Sequence, residues 1–178
     1  MIKFETIPKF TRDGNYEVNI HLKFLEKTIK SYEEEYKLEL NPDFQRGNIW
    51  TESQQIAYVE FFLRGGKTAR VIYFNCPYWN DYEPEKYDMN MVCVDGLQRL
   101  TALRKFMKNE LSVFGENYLD DFEDKNIMLR KLIDLRFNIN DLKTKKEVLT
   151  WYLDFNTGGT VHSDEEINRV KQMLEELK

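Results

Sequence analysis

The segment from Met91 to Leu103 constrains the fold of this chain more than any other. Residues 91–94 form a short apolar run, which is typical of a buried strand. Gly96 follows after a single aspartate, and from Leu97 to about residue 109 the apolar side chains recur at helical spacing. The pattern predicts a strand that passes through a tight turn into an amphipathic helix, with Asp95 or Gly96 at the helix start.

Four other segments have the apolar spacing and end signals of helices. We expect them over residues 20–35 after an N-cap at Asn19, over residues 51–63 after a capping box of Thr51 and Gln54, over residues 144–155, and from a second capping box of Ser163 and Glu166 onward. Gly65 and Gly66 supply a left-handed stop for the second of these helices.

Strands are predicted at residues 37–40, 70–75 and 132–140. In the last of these, Leu135, Phe137 and Ile139 alternate with polar residues, so one face is expected to lie on a core and the other in solvent. Residues 76–90 combine prolines, acids and aromatic residues, a composition typical of an irregular loop that exposes its aromatic side chains.

Length and composition indicate a single domain over residues 1–178, because 178 residues with 42% hydrophobic content support one core.

No apolar run is long enough for a membrane span or a secretion signal. Cys76 and Cys93 lie inside apolar runs, where free buried thiols are the usual state. We therefore expect a cytoplasmic protein without a membrane partner. The net charge of −5 argues against broad coating of nucleic acid.

The turn at Asp95 and Gly96 has the composition of an anion site. A glycine between strand and helix lets backbone amides approach a ligand, and the helix start presents unpaired N–H groups. Asp95 can hold a metal or a water, Gln98 can orient a water, and Arg99 can pair with phosphate. In the plainer interpretation, Asp95 is only an N-cap and Arg99 a surface residue.

Two loops carry further polar candidates. Residues 41–46 end in Gln45 and Arg46, and residues 156–160 begin with Asn156 and Thr157. The alternatives are a structural turn, in which Arg46 pairs with a carboxylate and Phe44 packs into a core, and an ordinary interhelical loop.

Several familiar sites are absent from the sequence. The two histidines have no partners at zinc spacing, which disfavours a zinc site or a histidine-dependent nuclease of the HNH type. The chain has neither a Gly-x-x-x-x-Gly-Lys phosphate loop nor a Gly-x-Gly-x-x-Gly fingerprint. Any nucleotide site is therefore of another kind.

Three of these pieces together resemble one family: residues 41–46 with Trp50, the segment from Met91 to Leu103, and residues 155–159 with Glu166 downstream. They are similar to the N-terminal domain of GmrSD-type modification-dependent restriction enzymes, in the ParB/sulfiredoxin-like superfamily. The resemblance implies an α+β fold in which a small mixed sheet packs with helices, followed by C-terminal helices.

The resemblance also implies a nucleotide site at an Asp-Gly-Gln-Gln-Arg motif, which corresponds here to Asp95, Gly96, Gln98 and Arg99. Asp95, Gln98 and Arg99 are the expected catalytic residues, and Asp95 is the expected ligand of Mg²⁺. The expected nucleotide contacts are Gly96, Gln45, Arg46, Asn156 and Thr157. Leu97 stands where the family usually has its first glutamine, which puts hydrolysis in doubt more than binding.

Family restriction enzymes also carry a C-terminal HNH nuclease domain, for which this chain is too short. The resemblance therefore implies a nucleotide-binding domain, with NTPase activity as an option, in a bacterial or phage-infected bacterial cell. We expect it to act in phage–host conflict or on DNA beside a separate nuclease or another protein, and to be able to form a homo-oligomer. The alternatives are a non-catalytic adaptor that binds DNA or protein through residues 77–87, and a ParB-like DNA nickase.

Overall fold

The computed structural model describes residues 16–45, 50–80, 83–131, 135–157 and 164–177. Within these ranges the chain forms four strands and six α-helices. The strands are β1 (Tyr16–Ile20), β2 (Val71–Asn75), β3 (Val92–Asp95) and β4 (Leu135–Asn140). The helices are α1 (Leu25–Tyr36), α2 (Glu52–Leu63), α3 (Leu97–Met107), α4 (Lys125–Lys131), α5 (Lys145–Thr157) and α6 (Asp164–Glu176). The expected α+β class is confirmed.

The strands form one mixed sheet in the order β1-β4-β2-β3. β4 runs antiparallel to β1 and parallel to β2, and β3 runs antiparallel to β2 with a shift in register between Tyr73 and Phe74. Glu39 forms an isolated bridge to Val92 beside β3, where a strand over residues 37–40 was expected. That expectation is wrong, since the pairing there does not extend into a strand.

Both faces of the sheet carry a core. One core gathers apolar side chains of α1, α2 and α3 against Ile72, Phe74 and Phe137. The other gathers α5, α6 and Phe44 against Val92 and Val94. Successive residues of a strand point to opposite faces, so β3 supplies Cys93 to the first core and its two valines to the second. The helices on both faces thereby position the end of β3.

The expected helix over residues 20–35 is wrong at its start. Residues 16–20 pair with β4 as a strand, a turn of 3₁₀ helix follows, and α1 begins only at Leu25. Asn19 therefore lies within β1 and caps no helix. Asn19 pairs with Arg136 on β4, which is 117 positions further along the chain. This long-range sheet pairing overrides the local capping signal.

Two expectations about exposure are also wrong. Asn138 and Asn140 are buried, because β4 lies between β1 and β2 in a sheet that carries a core on each face. Tyr78 is buried too, with its hydroxyl donating to the carbonyl of Tyr36 at 2.7 Å. Residues 76–80 thus pack their aromatic side chains on α1 instead of exposing them.

The capping box at the start of α2 is confirmed, with Thr51 and Gln54 bonding each other's backbone amides. Gly65 adopts the expected left-handed conformation after α2. Ser163 lies outside the described residues. None of the described helices is long and apolar enough to cross a bilayer.

Candidate functional site

The Gly96 turn (residues 95–97) joins β3 to α3 in a conformation that requires glycine. Gly96 has a φ of 98°, in the left-handed region that other residues rarely adopt. A Cβ atom at this position would lie 2.7 Å from Cδ1 and 3.2 Å from Cα of Ile72 on β2. The glycine therefore allows the turn to pack directly on the neighbouring strand.

The start of α3 has no side-chain cap. Gly96 is the N-cap and has no side chain, and the helical hydrogen bonds begin with the amide of Leu100 donating to the Gly96 carbonyl at 2.9 Å. The amides of the first turn precede that bond and have no partner within the helix itself. Together with the positive end of the helix dipole, they favour a negatively charged ligand.

Asp95 and Arg99 form an ion pair across this turn, between carboxylate Oδ2 and guanidinium Nη2. Both are partly shielded, with exposed side-chain fractions of 35% for Asp95 and 16% for Arg99. Nη2 of Arg99 also lies 3.2 Å from where a Cβ of residue 96 would be. The guanidinium is thus folded back over the turn, toward the start of its own helix.

Gln98 and Gln45 bind backbone groups. Oε1 of Gln98 accepts a hydrogen bond from the amide of Trp50 at 3.0 Å. Nε2 of Gln45 donates to the carbonyls of Cys93 and Val94 on β3, at 2.6 and 3.0 Å. These bonds hold both ends of the loop that precedes α2 against the strand and helix of the Gly96 turn.

Sequence reasoning missed Gln55, which completes this arrangement. It is almost fully buried on α2, and its Nε2 donates to the carbonyl of Trp50 at 2.9 Å. Gln55 and Gln98 therefore bind the carbonyl and the amide of the same residue from two different helices. The available signal was a glutamine at a position of α2 that faces the core.

Leu97 belongs to the core formed by α1, α2 and α3 and is only 9% exposed. The side chain at the position of the missing family glutamine therefore points into the protein interior. Leucine at this position packs in the core and supplies no polar group to a ligand at the start of α3.

The structure describes the other expected contact residues only in part. Arg46 lies outside the described residues. Asn156 and Thr157 end α5, and only their backbone is described. The alternative interpretation of residues 41–46 as a structural turn expected Phe44 to pack into a core, and this part is confirmed. The Phe44 ring packs against Tyr152 in the second core, with ring centroids 5.2 Å apart.

The carboxylates do not gather into a metal cluster in the described parts of the chain. No group of three histidine, cysteine, aspartate or glutamate side chains is found there, and Asp95 contributes one carboxylate, already paired with Arg99. Mg²⁺ commonly takes one or two protein carboxylates and completes its shell with phosphate oxygens and water. Asp95 could supply one such carboxylate.

Both cysteines are free and buried, as expected. Burial raises the pKa of the Cys93 thiol, and the nearby Asp95 carboxylate raises it further. Burial raises the pKa of Cys76 to about 12. Burial therefore favours the neutral thiol over the nucleophilic thiolate at both positions.

Comparison with known proteins gives one family. The family model described as "GmrSD restriction endonuclease, N-terminal domain" matches residues 25–176. This span includes α1 to α6, the Gly96 turn and the loop before α2. No curated protein and no solved structure matched the chain significantly.

Proposed function

The chain belongs to the family of GmrSD restriction endonuclease N-terminal domains, and from this premise we propose that it binds a nucleoside triphosphate at the Gly96 turn. Family membership carries a role related to restriction enzymes. The nucleotide site is our own inference from the geometry. Phosphate groups would lie at the start of α3, and the base and ribose would extend toward the loop that precedes α2.

One observation carries this proposal: a guanidinium is folded back over an uncapped helix start. Arg99 Nη2 lies beside the Gly96 turn, at the end of α3 toward which the N–H groups of a helix point. A planar guanidinium binds phosphate through two parallel hydrogen bonds, and the amides add further donors. Cation, amides and helix dipole therefore act on the same small volume.

Asp95 would change partners when phosphate binds. In the free protein its carboxylate neutralises Arg99. A triphosphate that takes the guanidinium would leave Asp95 available to bind Mg²⁺, which neutralises phosphate charge when present. Arg46, Asn156 and Thr157 are proposed as further contacts, on the strength of their positions in the sequence motifs.

Gln45 and Gln98 have a different proposed role from the one their sequence context suggested. Gln45 ties one end of the loop that carries Arg46 in sequence to β3, and Gln98 binds the backbone amide of Trp50 at the other end. We therefore assign both glutamines to positioning that loop. We place hydrolysis second to binding, because the buried Leu97 supplies no side-chain amide that could orient a water. Restriction activity would then come from a nuclease domain or partner that responds to the bound nucleotide.

The adaptor alternative loses two of the aromatic side chains on which it was built. Trp79 packs on Tyr36 with ring centroids 4.9 Å apart, and Tyr78 is buried. These two aromatic side chains therefore stabilise the fold. A DNA adaptor is further disfavoured by the net charge of −5, because DNA binding depends on cationic contacts with phosphates.

A thermal-shift screen with ATP, GTP, CTP and UTP, each with and without Mg²⁺, tests the proposal. A ligand that binds only the folded state raises the melting temperature by mass action. We expect one or more nucleotides to raise it in a concentration-dependent way, and phosphate release by the same samples then measures turnover. Absence of any shift at millimolar nucleotide would contradict the proposal.

Asp95→Asn is expected to bind Mg²⁺-free triphosphate more tightly than the native protein, by up to about fivefold, because a partly exposed ion pair is worth at most about 1 kcal/mol. The same change should abolish the gain in affinity that Mg²⁺ gives, since the amide is a poor ligand for the ion. Calorimetric titration with and without Mg²⁺ measures both effects. Glu52→Gln, which changes an exposed carboxylate at the start of α2, is the control and should change neither.

A further inference from the structure

A second concave surface lies beside β3, and its lining is acidic. This acidic cleft encloses about 550 Å³ between residues 37–44 and residues 85–90. The cleft is lined by the carboxylates of Glu39, Asp43, Glu85 and Asp88 and by the ammonium groups of Lys37 and Lys145. None of the residues of the Gly96 turn lines it, so it is a separate feature from the proposed nucleotide site.

Charge is unequally distributed around the acidic cleft. Four carboxylates face two lysines. Lys145 is paired with Asp43 at 2.6 Å, and Glu39 accepts a hydrogen bond from Asn90 at 2.9 Å. The described residues show no ion pair for Glu85 or Asp88, both of which are exposed. The lining therefore has a formal excess of negative charge.

The floor of the acidic cleft is apolar and firmly held. Phe44 and Val92 are 3% and 5% exposed, and Met89 packs beside them against the second core. The carbonyl of Phe44 accepts a hydrogen bond from Nη2 of Arg169 on α6 at 2.9 Å. An apolar floor below a carboxylate rim is complementary to a side chain with an aliphatic stem and a cationic head.

We propose that the acidic cleft docks a basic segment of a partner protein. Arginine or lysine stems would lie on Phe44, Val92 and Met89, and their charged ends would meet Glu85 and Asp88. The carboxylates repel a nucleic-acid backbone, which leaves a polypeptide as the complementary partner. Phe44 directly precedes Gln45, and Val92 lies in the strand that leads to Asp95. The partner would therefore sit next to the elements that hold the Gly96 turn.

Fluorescence anisotropy with a fluorescein-labelled peptide of repeating Arg-Leu-Gly units tests this proposal. The intact chain is compared with the double variant Glu85→Lys/Asp88→Lys. The control is Glu116→Lys/Glu123→Lys, which changes the net charge by the same amount at two exposed residues that do not line the cleft. All four side chains are exposed, so melting temperatures should be close to that of the native protein.

We expect the cleft variant to weaken peptide binding about tenfold or more and the control to change it less than about twofold. Equal weakening in both variants would overturn the proposal, because the peptide would then be responding to overall charge. Undetectable binding to the native protein at low salt would also overturn it. So would displacement of the peptide by an equal concentration of spermidine, since the apolar floor would then contribute nothing.

Discussion

Replacement of Gly96 by alanine is expected to lower the free energy of unfolding by about 2–5 kcal/mol. A left-handed conformation costs an ordinary residue about 1–2 kcal/mol, and overpacking adds about 1–3 kcal/mol. Both penalties apply here, because φ is 98° and the new methyl group would lie 3.2 Å from the backbone Cα of Ile72. The flexible end of Ile72 can move, whereas the strand backbone cannot move without disturbing the sheet.

Gly65→Ala separates the two causes. Gly65 has a φ of 83°, and a Cβ there would have no atom within 4 Å. This variant should therefore lose only the conformational part, about 1–2 kcal/mol. Urea denaturation monitored by circular dichroism measures both losses. Equal losses at Gly65 and Gly96 would mean that close packing of the turn on β2 contributes nothing.

Arg99→Ala is expected to weaken triphosphate binding by roughly 30-fold or more. Truncating one member of a partly buried charge pair in a binding interface typically costs about 2–5 kcal/mol. Here the loss removes the cation from the Gly96 turn and also leaves Asp95 as an unneutralised negative charge beside the phosphates. Calorimetry well below the melting temperature separates this effect from any loss of stability.

Arg104→Ala is the matched control for that variant. Arg104 lies on the same helix and forms an ion pair with Glu26, with Nε and Oε1 2.6 Å apart. The pair lowers the pKa of Glu26 against the opposing effect of burial. Its loss should reduce stability without changing nucleotide affinity. A comparable loss of affinity in both variants would show that Arg99 acts only through the stability of α3.

Local signals predicted much of the fold. The capping box of α2 and the path of residues 91–103 through strand, glycine and helix follow from contacts within a few residues, and the structure confirms them. β1 could not be predicted in this way, because its pairing with β4 depends on residues more than a hundred positions away. The isolated antiparallel bridge between Val113 and Asn117 and helix α4 were not predicted.

The candidate site likewise combines features that follow from neighbouring residues in the sequence with features that depend on long-range packing. The Asp95–Arg99 pair spans one helical turn at the start of α3, so its members could be chosen from the sequence. The binding of Trp50 by Gln55 and Gln98 joins two helices and a loop, and it appears only when they pack. The burial of Leu97 likewise depends on where α3 meets the core. Sequence patterns indicated Gln45 and Gln98 as candidate site residues, but they could not indicate the backbone groups that these side chains bind.

The central claim is that triphosphate binds at the start of α3, and a ¹⁵N-labelled titration tests it most directly. The nucleotide with the largest thermal shift is added with Mg²⁺ while the backbone amide resonances are recorded. We predict that the largest changes fall on Gly96, Leu97, Gln98 and Arg99, because these amides would surround the phosphates. Unchanged resonances at these four residues under saturating nucleotide, or changes centred instead on the acidic cleft, would contradict the claim.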